Sequence, residues 1–255
     1  LGQNFAKQFE LTFQSEDGQE EFAWNTSWGV STRLIGGLVM THGDDNGLVI
    51  PPRLAPAQVV VIPILRGDDA GPVREKADEI VSRLKENGVR VRLDARDHLS
   101  PGAKFFEWER KGVPFRLEIG PRDLAEGKVA LARRLTPEGE KRKAFLPEAQ
   151  ALAELPERLE SFQGELLQAA IALREANTVR GVKSLDEMEE AFEDGAGFVF
   201  SGWSGDPAVE EAVKERMKAT IRLLPDEEFR SDQAPATCVS GAGESVTEAA
   251  WARAY

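Results

Sequence analysis

Residues 24–56 read WNTSWGVSTRLIGGLVMTHGDDNGLVIPPRLAP, and the way this stretch is divided decides how the whole chain is read. An apolar run of helical length, Leu34 to Met40, follows Arg33 and is closed by the acidic turn Gly43-Asp44-Asp45-Asn46-Gly47. Leu48-Val49-Ile50 then reads as a short strand stopped by Pro51-Pro52. Gly36 and Gly37 leave the helix backbone open to close approach by another backbone or a ligand. Arg33, at the start of a rigid element, would keep its fork free to hold a carboxylate or phosphate through two bonds. An amphipathic helix with an ordinary boundary arginine is the other reading of the same spacing.

Upstream, Phe9, Leu11 and Phe13 alternate as in a strand with one buried face. The turn Asp17-Gly18 and a second strand at Phe22-Ala23-Trp24 complete an antiparallel hairpin leading to the Arg33 helix. Beyond the proline-rich boundary, residues 58–65 are almost continuously apolar, as in the centre of a mostly parallel sheet. An acidic turn at 67–71 with Pro72 at a helix start precedes a helix over 73–87, whose apolar positions are Ala77, Ile80, Val81 and Leu84 and whose stop is Gly88. A strand at 89–93 completes a βαβ unit. Its first turn lacks Gly-x-Gly-x-x-Gly, so neither a dinucleotide site nor a metabolite-binding protein of that class is supported. A helix over 104–111, a strand over 113–120, a turn at Pro121-Arg122-Asp123 and a strand over 129–134 complete a mixed α/β domain.

After a charged turn at 136–142, residues 150–178 repeat apolar side chains every three or four positions through Leu152, Leu155, Leu159, Phe162 and Leu166. Pro156 predicts a first turn or a break rather than a helix middle. Shorter elements follow: a helix over 185–193, a strand over 197–200, a helix over 206–220 with Asp206 as cap and Pro207 first, and a strand over 221–224. A Gly/Ser/Pro/Asp-rich insert then runs to Glu244.

With 255 residues the chain can bury a sizeable core and hold two or three modest domains. No run of 18 apolar residues exists, so neither a membrane span nor a membrane partner is expected. Leu1 follows no initiator methionine and opens no basic or apolar leader, which argues against a signal peptide and suggests a larger protein. The single cysteine, Cys238, excludes an intrachain disulfide framework and fits a reducing cytoplasm. A net charge of −12 discourages non-specific nucleic-acid binding without forbidding a local basic face.

The run Trp28-Gly29-Val30-Ser31-Thr32-Arg33-Leu34-Ile35-Gly36, continued by Met40-Thr41-His42-Gly43-Asp44-Asp45, Gly47-Leu48-Val49 and Pro51-Pro52-Arg53-Leu54-Ala55-Pro56, resembles the third signature motif of class II aminoacyl-tRNA synthetases. Specifically, it resembles the prolyl-tRNA synthetases of the archaeal and eukaryote-like type. That resemblance makes residues 1–54 a fragment of an antiparallel catalytic sheet and gives Arg33 the triphosphate end of ATP. It also implies an adenylate site including Gln3, Gly29 and Ser31, with Leu1–Lys7 on a sheet facing substrate. Trp28 becomes a wall for the proline ring, with Thr26 and Ser27 beside it; a core aromatic at the strand-to-helix corner is the alternative for Trp28. The family's first two motifs, which build a homodimer interface and bind the alpha phosphate, are not in these residues, so the chain alone is expected to be catalytically incomplete. Magnesium would accompany ATP in the complete enzyme.

Gly112-Val113-Pro114-Phe115-Arg116-Leu117-Glu118-Ile119-Gly120-Pro121-Arg122-Asp123 resembles the anticodon-binding domain of the same class, implying such a domain over 55–150. Lys104, Arg116 and Arg122, with Arg110, Lys111, Arg133 and Arg134, are then phosphate contacts, and Phe105 and Trp108 can stack on splayed bases. Glu118 is expected to accept from a guanine edge, since the family's anticodons carry two adjacent guanines. Solvated charges on an ordinary α/β surface are the competing reading.

Residues 151–255 resemble the carboxy-terminal module of this type, a small α+β unit that holds zinc through four cysteines in many relatives. Here those positions read Ser204, Val209, Cys238 and Gly241, so no metal is expected, and apolar packing of Phe198, Phe200, Val213, Met217, Ile221 and Leu223 must replace it. Tyr255 matches the family's closing tyrosine. The resemblance implies an α/β chain of a cytoplasmic enzyme joining proline to tRNA(Pro) at the expense of ATP, with a non-catalytic tRNA-binding protein as the alternative.

Overall fold

The computed structural model describes all residues except 66–69, 137–138, 140 and 254–255, together with the side chain of Phe229. Most of the acidic turn expected at 67–71, part of the charged turn at 136–142, and Tyr255 therefore lie outside the described residues. The chain forms two compact units, one of Leu1–Ile50 with Leu54–Ala153 and one of Pro51–Arg53 with Glu154–Tyr255.

In the first unit, helix α1 (Asn4–Gln8) precedes a two-stranded hairpin of β1 (Thr12–Gln14) and β2 (Glu20–Phe22). The Asp17-Gly18 turn is as expected, with Gly18 at φ +73. Two expectations fail here: residues 4–8 are helical rather than extended, and the hairpin has no buried face. Phe9, Leu11 and Phe13 are 69%, 49% and 48% exposed, since two strands alone give an apolar face nothing to pack on. Helix α2 (Arg33–His42) begins at Arg33. Residues 48–50 form no named strand, although Leu48 N–H and Ile50 N–H donate to the carbonyls of Arg110 and Gly112.

A five-stranded sheet holds the core of this unit, in the order β4-β3-β5-β6-β7. Strands β3 (Val59–Pro63), β4 (Val91–Leu93) and β5 (Phe115–Ile119) are parallel, while β6 (Lys128–Arg133) and β7 (Lys143–Pro147) run antiparallel. Every residue of β3 is buried, which is why its sequence does not alternate. Helix α3 (Ala70–Glu86) buries Val73, Ala77, Ile80, Val81 and Leu84, and α4 (Pro101–Arg110) is capped by the Ser100 hydroxyl accepting from Ala103 N–H. The expected turn at Pro121 is in fact the start of helix α5 (Pro121–Glu126), capped by Asp123 accepting from Gly120 N–H at 2.9 Å and stopped by Gly127 at φ 64.

Helix α6 (Glu148–Ala176) contains Pro156 in its interior, contrary to expectation. The lost backbone bond is tolerated because Leu152, Leu155 and Leu159 around it are all buried. The second unit has a four-stranded sheet in the order β10-β11-β9-β8, built from β8 (Thr178–Val182), β9 (Phe198–Trp203), β10 (Ala219–Leu223) and β11 (Thr247–Arg253). Helices α7 (Leu185–Glu193) and α8 (Pro207–Met217) start at the caps Ser184 and Asp206. The expected core is only partly realised: Val213 and Met217 are buried, whereas Phe198 and Leu223 are 37% and 53% exposed. Trp251 on β11 fills that interior with Met188, Phe192 and Val199, and its indole N–H donates to Ser201 Oγ at 2.9 Å.

Candidate nucleic-acid interface

Strands β5, β6 and β7 align two rows of side chains on one sheet face. Ala132 lies opposite both Arg116 and Lys143, and Ala130 lies opposite both Glu118 and Phe145. The small alanines let the long side chains of β5 and β7 meet above them. Glu118 accepts from Arg116 Nε at 2.8 Å and from Lys143 Nζ at 2.6 Å, one cation on each oxygen. Both cations also face the ring of Phe105 from α4, at 4.3 Å for Arg116 and 5.3 Å for Lys143.

This geometry corrects several expectations. Glu118 is 2% exposed with both oxygens engaged, so it is not an open acceptor for a base edge. Lys104 is 3% exposed and donates to the Asp94 carbonyl at 3.2 Å, which removes it from any phosphate contact. Trp108 is held from inside, its indole N–H donating to Asp94 Oδ2 at 2.7 Å while Lys111 lies 4.8 Å from its ring centroid. Arg134 is a structural arginine, bound to Asp44 and to the carbonyls of Leu48 and Glu109. Arg122 remains on the surface, paired with Glu126 at 3.0 Å. Asp94 holds this corner together: Arg96 binds it through Nε at 2.8 Å and Nη2 at 2.7 Å. That hydrogen-bonded guanidinium outweighs burial and lowers the Asp94 carboxyl to about 2. Lys143 carries no signal in the sequence, because β7 has no clear alternation.

The residues expected around the adenylate lie apart from this face in sequence, and all but Gln3 are exposed. Arg33, Thr26, Ser27, Gly29 and Ser31 are exposed, and Trp28 is 94% exposed. Gln3 precedes α1, and its amide donates to the Phe22 carbonyl at 2.7 Å, tying α1 to the hairpin. Helix α2 buries no residue, with Leu34, Ile35 and Met40 at 64%, 64% and 70% exposure, and no side chain or foreign backbone comes within 4 Å of where a Cβ would stand on Gly36 or Gly37.

The four positions that resemble zinc ligands do not suit the metal. Val209 and Gly241 have no side-chain donor, Val209 belongs to the apolar core, and Cys238 is itself fully buried rather than an exposed thiol. Burial acts to raise the Cys238 thiol, but hydrogen bonds from Ser204 and Ser240 together bring it below its ordinary value.

Two family models match this chain: the anticodon binding domain over residues 58–161, and the prolyl-tRNA synthetase C-terminal domain over residues 185–255. The chain is 46% identical over 255 residues to the proline-tRNA ligase of Chloroflexus aurantiacus, covering 100% of this chain and 52% of that relative. It is also 46% identical over 260 residues to the proline-tRNA ligase of Chlorobium limicola, again covering 52% of the relative. A crystal structure of prolyl-tRNA synthetase from Cryptosporidium parvum, complexed with L-proline and AMP, matches with a TM-score of 0.86 at 33% identity over 100% of this chain and 53% of the other. The chain thus spans about half the length of the curated relatives it matches. Over its whole length the chain resembles the prolyl-tRNA synthetases, and its residues 185–255 match the C-terminal domain of that family.

Proposed function

We propose that this chain is the tRNA-reading portion, with part of the adenylate-forming site, of a cytoplasmic homodimeric enzyme that activates proline with ATP and magnesium and transfers it to tRNA(Pro). In this reading residues 1–54 belong to the catalytic domain, 55–150 bind the anticodon, and 151–255 form the carboxy-terminal module. The observation that carries it is the sheet face where Arg116 and Lys143 converge on Phe105, within the segment matched by the anticodon-binding model. An aromatic flanked by cations suits a splayed base and its phosphate. The neighbour's bound L-proline and AMP support the same substrates here.

Arg33 would neutralise charge on the beta and gamma phosphates as the proline carboxylate attacks the alpha phosphate and pyrophosphate leaves, an electrostatic role suited to a guanidinium at a helix start. Gln3, Gly29 and Ser31 would line the adenylate, and Thr26, Ser27 and Trp28 would enclose the proline ring. The open apolar face of α2 fits a region that works within a larger sheet. Among the described residues no helix is long and apolar enough to cross a membrane. Proline-dependent ATP–pyrophosphate exchange and prolylation by the whole protein test this reading. Prolylation of tRNA(Pro) is the expected result; tRNA binding without exchange would leave a non-catalytic tRNA-binding protein.

A further inference from the structure

The same sheet face continues past Lys143 to a place the reading above does not use. Phe145 lies two residues along β7 from Lys143, and alternate strand positions share a face. Its register partner Ala130 pairs on the other side with Glu118, so Phe145 extends the Glu118 row outward. Phe145 is 64% exposed, although a phenylalanine on an outer strand would ordinarily find cover. It borders a groove of about 340 Å³ whose other walls are Arg122, Asp123, Glu126 and Lys128.

The polar wall of that groove is arranged rather than random. Asp123 is turned inward to cap Gly120. Glu126 accepts from Lys128 at 2.9 Å and from Arg122 at 3.0 Å, which sets the two cations side by side with further donors on each. An exposed ring beside two cations, continuous with Lys143 and Phe105, is the combination that holds single-stranded nucleic acid: a face for a base and charge for its phosphate.

We propose that Phe145, Arg122 and Lys128 form a second stacking subsite, which takes one unpaired nucleotide of the RNA whose neighbouring base lies at Phe105. This rests on the tRNA-reading function proposed above. The test uses the 255-residue chain and a labelled RNA hairpin carrying a proline anticodon loop. Phe145→Ala and Phe145→Leu are expected to weaken binding about ten-fold, since both remove the ring, while Phe145→Trp keeps it within about two-fold. Lys128→Gln is expected to lower the slope of log affinity against log salt by roughly 0.7, the single-strand value for one phosphate contact. Because Phe145 is exposed, all three Phe145 variants should unfold thermally as the parent does. Parental affinity in both Phe145→Ala and Phe145→Leu overturns the subsite and leaves the tRNA reading standing. A parent chain that does not bind the hairpin overturns both.

Discussion

Arg134 and Asp44, 90 positions apart in sequence, form a two-pronged ion pair that joins the turn after α2 to the five-stranded sheet. Nη1 donates to Oδ2 at 2.9 Å, Nη2 donates to Oδ1, and Nε is shared between the carbonyls of Leu48 at 2.8 Å and Glu109 at 2.9 Å. The Arg134 side chain is 1% exposed and that of Asp44 32%, so water reaches one end of the pair. Beside it the backbone is equally close: Gly47 stands at φ +124, and a Cβ there would lie 2.6 Å from the Arg110 carbonyl oxygen.

Arg134→Met should therefore destabilise the first unit by about 3 kcal/mol, the lower end for breaking a buried pair, because Asp44 keeps some solvent. Asp44→Asn should cost less, since the amide still accepts one bond. Denaturant unfolding of both variants checks the order; equal and negligible losses would remove the pair from the account of this joint.

Asp94 makes stability depend on acid. Its folded carboxyl is lowered from 3.8 to about 2, chiefly by the Arg96 hydrogen bonds, so its contribution is complete above the unfolded value and disappears as pH falls toward the folded one. The parent should thus lose stability relative to Asp94→Asn between about pH 4 and pH 2, and Trp108 fluorescence should report the change through its bond to Asp94. A difference between parent and variant that stays constant across that window would contradict the assignment.

Cys238 should behave as a core residue. With no exposure it should react with a thiol reagent only on unfolding, despite a thiol lowered by the hydrogen bonds of Ser204 and Ser240. Purified protein is expected to hold no stoichiometric zinc and to unfold at the same temperature with or without chelator. One zinc per chain together with a chelator-induced loss of stability would refute the donor argument at Ser204, Val209 and Gly241.

Arg33→Ala in the whole protein is expected to lower proline-dependent ATP–pyrophosphate exchange by about 10²-fold or more, with hairpin affinity unchanged. Exchange at the parental rate would take Arg33 out of the catalytic assignment.

The sequence was most legible where one physical signal dominated. The all-buried β3, the periodic α3 and the capped α7 and α8 were all readable, because apolar spacing and caps agreed. Strands β7, β8 and β11 carry no clear signal in the sequence: β7 and β8 lie at sheet edges without clean alternation, and β11 follows a glycine-rich insert. Pro121 and Gly127 stand so close together that helix α5 reads as a turn in the sequence. Charge was the weakest guide to the site. Lys104 and Arg134 look like surface cations in sequence and are buried in the fold, while Lys143 became visible only once its strand was paired across β6.

The most direct test of the proposed tRNA-reading face is the affinity of the 255-residue chain for two RNA hairpins, one with a proline anticodon loop and one with its two adjacent guanines replaced. The account predicts tighter binding of the first by about ten-fold or more, with the preference reduced in Arg116→Ala and Lys143→Ala, which remove the cations beside Phe105 whose N–H groups can donate to guanine O6 and N7. Equal affinity for the two hairpins, or a preference unchanged in both variants, would contradict it.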